Sequence, residues 1–382
     1  MTIVDRVTAR FHDIVGTEPR GVWSAPGRVN IIGDHTDYNG GFALPMAINR
    51  NTVVAVDYRD DGLVRLGSTL NDTIITTELA RCVPGSISGR AAYPLGVLWA
   101  LGGARGGMRG LDIVLDTDIP IGVGLSSSAA IECAVAVAVD DLWDLGLNRM
   151  EMAHAGQRAE NDMVGIPTGM MDQIACLYGE VDSAVFVDCQ LPEASTIPFA
   201  LESEGLAVLV INTHVPHSNS TSGYHNRRAT CDRAAAAMGA DQLRDLAVDD
   251  LPKLRASVDD ETFRRARHVV TENARVLAVV DLLRQDGPHA IGDFLVASHL
   301  SMKNDFEISI PQIDVAVQVA RGAGALGARM TGGGFGGAAI ALTPRGLLPA
   351  VEHAVREAFS DHSFEEPDMF VVTPSRGAHR VY

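Results

Sequence analysis

Residues Ile119 to Ala130 read IPIGVGLSSSAA, and the reading of this stretch decides how the chain around it is understood. Ahead of it, LDIVLDTD (Leu111 to Asp118) alternates Leu111, Ile113 and Leu115, the period of a half-buried strand. Behind it, IECAVAVAVDDLW is rich in alanine and suits a helix running to about Leu145. A strand, a glycine turn and a helix make an anion site. Gly122 and Gly124 let the backbone approach a ligand without Cβ hindrance, and the first N–H groups of the helix point at it. Ser126, Ser127 and Ser128 add hydroxyl donors. The stretch contains no lysine, so it is not a Walker loop, and phosphate would be held by backbone amides and hydroxyls. Taken alone, the same residues also fit a serine-capped helix behind a glycine turn.

The chain has 382 residues, enough for two domains. With 46% hydrophobic and 21% charged residues it has the composition of a globular protein. Its 48 acidic against 31 basic residues leave a net charge of -17, which argues against nucleic acid or an anionic membrane as partner. Any phosphate site must therefore be built locally. Five cysteines form no CxxC pair and are odd in number, so neither a disulfide framework nor a zinc site is expected, and a reduced cytoplasm fits best. The start, MTIVDRVTARFHDIVG, is interrupted by Asp5, Arg6, Arg10 and Asp13 and offers no signal-peptide core. The apolar runs elsewhere fall short of the roughly 20 residues that cross a bilayer.

An amphipathic first helix carries Val4, Val7, Phe11 and Val15 at helical spacing. WSAPGRVNIIGDHTDYNGGFALPMAI follows (Trp23 to Ile48), strand-like apolar pairs around the insert Asp34-His35-Thr36-Asp37-Tyr38-Asn39. Two carboxylates, a histidine and Arg28 inside otherwise buried segments are costly unless they meet a polar partner such as a sugar. Asn39-Gly40 reads as a hairpin turn. Strands are expected at Thr52 to Tyr58 and Asp72 to Thr77, and a short helix at Tyr93 to Leu101 ahead of the glycine-rich turn GGARGG. A helix from Arg149 to Asp162 carries Glu160 and stops at Gly165-Ile166-Pro167. Thr168 is placed to cap a helix containing Asp172, an acid that in a first helical turn can simply stabilise the dipole.

AVFVDC (Ala184 to Cys189) and LAVLVINT (Leu206 to Thr213) read as strands, with LPEASTIP between them as a domain linker. A polar loop with Tyr224, Arg227 and Arg228 then leads into an alanine-rich helix. Glu261 to Gln285 is a long amphipathic helix, and another runs from Pro311 to about Ala320. ARMTGGGFGGAAIAL (Ala328 to Leu342) sets a glycine cluster between two strands, as a loop pressed against a ligand or another backbone would. A helix (Leu348 to Phe359) and a strand (Asp368 to Thr373) complete the chain.

Three separated motifs agree, and together they resemble the GHMP kinases. GVGLSSSAA is similar to the phosphate loop of that superfamily and MTGGGFGGAAIAL to its C-terminal glycine motif. GRVNIIGDHTDYNGG is similar to the signature of the galactokinase branch, and GMMDQ, SGYHNRR and SHLSMKNDFEISIP (Ser298 to Pro311) agree with it, so the resemblance covers essentially the whole chain. It implies an α+β, two-domain fold: a ribosomal-S5-like domain over residues 1–185 and a ferredoxin-like domain over 186–382, the active site between them and the last strand free to pack back on the first domain. It also implies a cytoplasmic enzyme of galactose catabolism, monomeric or a weak homo-oligomer, that uses ATP and Mg²⁺ to phosphorylate the anomeric hydroxyl of galactose.

Carried over by position, Asp172 in GMMDQ falls on the catalytic aspartate and Arg28 on the arginine paired with it. Asp34, His35, Asp37, the backbone of Gly169 and Tyr224 fall on sugar-binding positions. Gly122, Gly124, Leu125, Ser126, Ser127, Ser128 and Ala129 fall on the nucleotide loop, and Ser128 and Glu160 on the magnesium positions. Mg²⁺ keeps several waters and phosphate oxygens, so one hydroxyl and one carboxylate are sufficient protein ligands. Arg28 would keep Asp172 ionised and stabilise charge on the transferring phosphoryl group. Whether Asp172 abstracts the proton or orients the hydroxyl stays open.

Two positions depart from the family pattern. Asp34 stands where the family has Glu, which shortens its reach by about 1.5 Å, and Arg90 stands where many members carry a tryptophan near the adenine, so that an arginine would stack on the base instead. The competing readings are a non-catalytic galactose-sensing relative, whose glycine-serine loop would be damaged, and a GHMP kinase for another sugar such as galactosamine or arabinose.

Overall fold

The computed structural model describes residues 1–102, 108–191, 193–216 and 220–382, and at 220–222 the backbone alone. Residues 103–107 of the expected GGARGG turn and 217–219 of the polar loop lie outside the described residues.

Helix α1 (Ile3–Val15) opens with a capping box between Thr2 and Asp5 and closes on left-handed Gly16. Its apolar stripe, Val7 and Phe11, packs on Val22, Val53, Ala55 and Val114, residues of β1 (Gly21–Ile32), β2 (Phe42–Arg59) and, beyond β3 (Leu63–Ser68) and β4 (Ile75–Glu78), β5 (Gly110–Thr117). The alternate residues Trp23, Val54 and Val56 join a core on the opposite face. That face is covered by α2 (Ala92–Gly102), α3 (Ser127–Trp143), α4 (Arg149–Arg158) and α5 (Met171–Tyr178). Burial on both faces explains why all of β1 is inaccessible and why apolar residues fall on both of its faces.

The chain then forms β6 (Ser183–Asp188) and β7 (Glu193–Pro198), a pair attached to β2, before β8 (Leu206–Asn212) begins a second sheet. Helices α6 (Ser220–Met238), α7 (Leu251–Ser257), α8 (Asp260–Gln285), α9 (Gly292–Ser301) and α10 (Pro311–Gly322) precede β9 (Gly327–Thr331) and β10 (Ala338–Pro344); α11 (Leu348–Asp361), β11 (Asp368–Val372) and β12 (His379–Arg380) follow. The first sheet runs β12-β1-β2-β5-β3-β4 and the second β11-β8-β10-β9. The result is the expected α+β, two-domain architecture. The second core joins Leu209, Ile211 and Ala341 of that sheet to Ile313, Val351 and Phe359 of α10 and α11.

Several local readings change. LPEASTIP is not a linker: its residues from Glu193 form β7, paired with β6 from Ser183↔Pro198 to Asp188↔Glu193. The sheet changes between Pro198 and Leu206, and a division at 185/186 would cut β6. β3 escaped notice because Arg65 interrupts its apolar pattern; the side chain is neutralised by Asp112 of the neighbouring β5 at 2.7 Å. Asn39-Gly40 is not a two-residue hairpin loop. Gly40, at φ 66°, caps a short 3-10 turn (Asp37–Asn39) inside an insert between β1 and β2. Tyr224, Arg227 and Arg228 lie within α6 and not in a loop ahead of it. The strand at Asp368 pairs with β8 in the second sheet, and it is β12 that pairs with β1.

Candidate active site

The register between β1 and β2 shifts at Pro26/Arg28 and again at Asn30/Ile32. Such bulges re-aim side chains, and Arg28 lines a cleft of about 620 Å³. Its Nε and Nη2 each donate at 2.8 Å to one carboxylate oxygen of Asp172, 144 residues away in sequence, and its Nη1 donates to the Gly124 carbonyl. A bidentate pair of this kind fixes orientation as well as charge. Burial opposes the charge on Arg28, but Asp172 and Asp34 outweigh it and hold the guanidinium above its ordinary range. Asp172 lies in the first turn of α5 and also accepts from the Ser126 hydroxyl. Thr168 does not cap α5: its N–H is taken by Asn161 Oδ1 at 2.9 Å and its hydroxyl donates to Glu160 at 3.0 Å.

The insert after β1 is tied down by its own polar groups. The Thr36 hydroxyl bonds the carbonyls of Gly33 and Phe42, and the Asn39 amide bonds the carbonyl of His35. His35 adopts φ 63°, a left-handed conformation that is strained for a side chain of this size. Its Nε2 stands 3.2 Å from the Gly333 carbonyl and its Nδ1 2.9 Å from the Tyr38 hydroxyl. A carbonyl can only accept, so Nε2 carries the proton and Nδ1 accepts from Tyr38. Burial drives the imidazole down to about 3, which keeps it neutral. The Tyr224 ring packs against His35 and Tyr38 at centroid distances of 5.3 and 5.0 Å. Asp37 is pushed up to about 6 by burial and by the nearby Asp172. It faces Gly169 so closely that a Cβ there would come within 2.2 Å of its carboxylate.

Asp34 is placed differently from a simple sugar ligand. Its Oδ2 forms an ion pair at 2.5 Å with Arg329 of β9 and its Oδ1 accepts the Gly332 N–H at 3.2 Å. Burial raises its pKa, with Arg329 and Arg28 working in the other direction. Arg329 also lies 3.8 Å from Glu272 of α8, which takes the Gly33 N–H at 3.0 Å and pairs with Arg275 at 2.7 Å. Arg329 and Glu272 went unread in the sequence, and each left a signal. A cation directly ahead of a glycine cluster in an apolar strand needs a buried anion. Glu272 sits on the stripe of α8 that otherwise reads Ala266, Val269, Val276 and Val279.

On the other side, Gly122 and Gly124 take φ 78° and 81°, turning β5 into α3. Gly122, Gly124, Leu125, Ser126, Ser127 and Ser128 all line the cleft, with Arg90, Tyr93, Leu66, Ile75 and Ile121 beyond them. Ala129 is buried behind the loop and does not line the cleft. Ser126 turns its hydroxyl onto Asp172 and so does not serve as a free phosphate donor here. Glu160 sits on a π turn that extends α4 (Ala159–Val164), a distortion frequent at functional sites. It stands just behind the cleft wall, within hydrogen-bond reach of Ser128, Thr168 and Gln173. Burial, with Asp172 second, pushes its carboxyl up to about 7. Arg28, Asp34, His35, Asp37, Gly169, Asp172 and Tyr224 therefore share one cleft with the glycine-serine loop.

Comparison with known proteins agrees in every part of the chain. Residues 92–180 match the GHMP kinases N terminal domain, residues 279–361 the GHMP kinases C terminal domain, and residues 9–58 the galactokinase galactose-binding signature. A galactokinase of Streptomyces coelicolor is 46% identical over 382 residues, covering 99% of each chain. The Lactococcus lactis galactokinase crystallised with galactose superposes at a TM-score of 0.92, with 31% identity over 99% of this chain and 100% of that one. Methanococcus jannaschii mevalonate kinase, at 18% identity and a TM-score of 0.66 over 94% of this chain and 100% of its own, shares the fold.

Proposed function

The chain belongs to the galactokinases, a branch of the GHMP kinases, and from that premise we propose how its residues divide the work. It transfers the terminal phosphoryl group of ATP to galactose, at the anomeric hydroxyl, giving galactose 1-phosphate. The single observation that carries the residue assignment is the Arg28–Asp172 pair, standing between the sugar insert and the glycine-serine loop in one cleft.

Asp172 receives three protein donors, two from Arg28 and one from Ser126. They hold its carboxylate aimed, ready to accept the proton of a hydroxyl as that oxygen attacks. Arg28 has five N–H groups, three of them committed to Asp172 and Gly124. The remaining two face charge that develops on the transferring group. His35 as a neutral imidazole, Asp37, Tyr224 and the backbone of Gly169 form the polar wall for the sugar, with Asp34 behind His35 as anchor. The triphosphate lies along Gly122–Ser128, held by backbone N–H groups and hydroxyls, and the apolar end near Leu66, Ile75 and Ile121 takes the base beside Arg90.

Ser128 and Glu160 fit a magnesium ion. Both are oxygen donors, and Glu160 is faced by neutral hydroxyl and amide donors instead of a cation. Held by these two side chains, a magnesium ion would supply positive charge against the phosphates. The domain division falls between Pro198 and Leu206. No helix among the described residues is long and apolar enough to cross a membrane; a cytoplasmic enzyme, monomeric or weakly self-associating, completes the proposal.

Replacing Asp172→Asn should lower kcat about 10²–10⁴-fold and leave binding of a non-hydrolysable ATP analogue unchanged, measured by coupled ADP release and by calorimetry. Near-normal turnover by a folded Asp172→Asn protein would refute the assignment. The same assay run over galactose, galactosamine, 2-deoxygalactose and arabinose tests whether galactose is preferred despite Asp34.

A further inference from the structure

Behind the glycine-serine loop lies a buried polar pair that the reaction scheme leaves unused. Glu132 is on the inner face of α3 and Gln173 follows Asp172 in α5; both are fully inaccessible. The Gln173 side-chain nitrogen donates to Glu132 Oε2 at 2.8 Å and to Glu160 Oε2 at 3.1 Å. An amide nitrogen has two N–H groups, and here each is spent on a carboxylate. Rotating the amide would withdraw both donors from the two carboxyl groups at once, so the bond to Glu132 holds the orientation in which Gln173 donates to Glu160.

The arrangement is expensive for the fold. Glu132 Oε1 and Gln173 Oε1 are buried without a hydrogen-bond partner, and apolar residues of similar size would pack there without that loss. The facing helix also gives way. A Cβ on Gly156 of α4 would lie 2.9 Å from Gln173 Cγ and 3.2 Å from Glu132 Oε2, so a helix-weakening glycine stands where the pair needs room.

We infer that Glu132 and Gln173 are positioning residues for the magnesium site, holding the Glu160 carboxylate and tying it to the helix that carries Asp172. The inference rests on the assignment of Glu160 as a metal ligand made above. Ligating carboxylates depend on such outer partners, whose loss weakens metal binding about 10–100-fold. Through Gln173, the carboxylate that faces the metal and the carboxylate that faces the sugar hydroxyl belong to one rigid unit.

The test uses the full-length enzyme with a non-hydrolysable ATP analogue, reading Mn²⁺ affinity from the resonance signal of free Mn²⁺, alongside the Mg²⁺ concentration for half-maximal turnover. Gln173→Met and Glu132→Leu should each weaken Mn²⁺ binding and raise the Mg²⁺ requirement about 10-fold or more, with the KM for galactose unchanged. Glu132→Gln keeps an oxygen for the Gln173 amide and should stay within about twofold of the parent. Should Gln173→Met fail to fold, the contrast between Glu132→Leu and Glu132→Gln decides the matter. Parental Mn²⁺ affinity in Glu132→Leu, or an equal loss in Glu132→Gln, overturns the inference. Glu160→Ala separates the two levels: if it leaves Mn²⁺ affinity intact, the metal assignment itself falls.

Discussion

Glu272 and Glu160 are the same residue type, both buried, one bonded to the sugar insert and the other behind the glycine-serine loop, and their carboxyls move in opposite directions. Burial pushes both upward. Behind the sugar insert, Arg275, His268 and Arg329 outweigh it and Glu272 falls to about 2. Behind the glycine-serine loop, Asp172 adds to the burial, hydroxyls and an amide pull the other way, and Glu160 rises to about 7. The sugar side is thus neutralised by the protein itself, in a lattice of Asp34, Arg329, Glu272 and Arg275 that joins the insert after β1 to α8 and β9. The phosphate side is built to be completed by what it binds. Asp37 sharpens the rule: on the sugar side it faces the cleft, with no guanidinium bonded to it among the described residues, and it too is raised, to about 6.

The comparison can be broken most forcefully at Arg329. Arg329→Met leaves Asp34 and Glu272 buried without their shared guanidinium, and should cost about 3–5 kcal/mol, read from the first transition of a urea denaturation curve. A loss below about 1 kcal/mol would mean that the sugar-side lattice is not held together by charge. A smaller, more local effect is expected at Gly169, where a methyl group would displace the Asp37 carboxylate. Gly169→Ala should raise the KM for galactose about 10–100-fold, the worth of a hydrogen bond to a charged group, and leave the KM for ATP as it was. Equal changes in both constants would show that the two halves of the cleft are not separable in this way.

The smallest effect is a slope. Glu160 has a raised folded-state pKa, so its stabilising contribution is complete below its ordinary 4.5 and is lost as pH rises through about 7; Asp37 behaves likewise between 3.8 and about 6. Glu272 is depressed, and its contribution is lost only as pH falls through about 2. Buried neutral His35 and His268, lowered to about 3 and 4, add stability as pH rises toward 6.5, so the test is the difference. Without nucleotide, the melting temperature of the parent should lose ground to that of Glu160→Gln between pH 5 and 8. Parallel slopes in the two proteins would place the pH dependence elsewhere.

Much of this was legible in the sequence, for reasons that differ from residue to residue. The glycine-serine loop was visible because positive-φ glycines and a following helix are local properties. Most of the long helices were visible because their apolar stripes are periodic. Arg28 and Asp172 were named only through the resemblance of their motifs, since an arginine in a strand and an acid in a first helical turn each have ordinary explanations. Thr168 was misread because capping chemistry was inferred from spacing, while its hydroxyl had a better partner in Glu160. LPEASTIP was misread because its serine, threonine and prolines suggest a linker, while an edge strand tolerates them.

By itself the chain's sequence determined the alternation of elements, the two glycine loops and the family whose chemistry they serve. Those signals act over a few residues, through backbone torsion and hydrophobic period. Only the tertiary structure decided which carboxylate meets a cation. Asp34 finds Arg329 across 295 residues and Arg28 finds Asp172 across 144, and no local pattern encodes such a distance. Whether a buried acid is paired or left waiting follows from how the two domains close on each other.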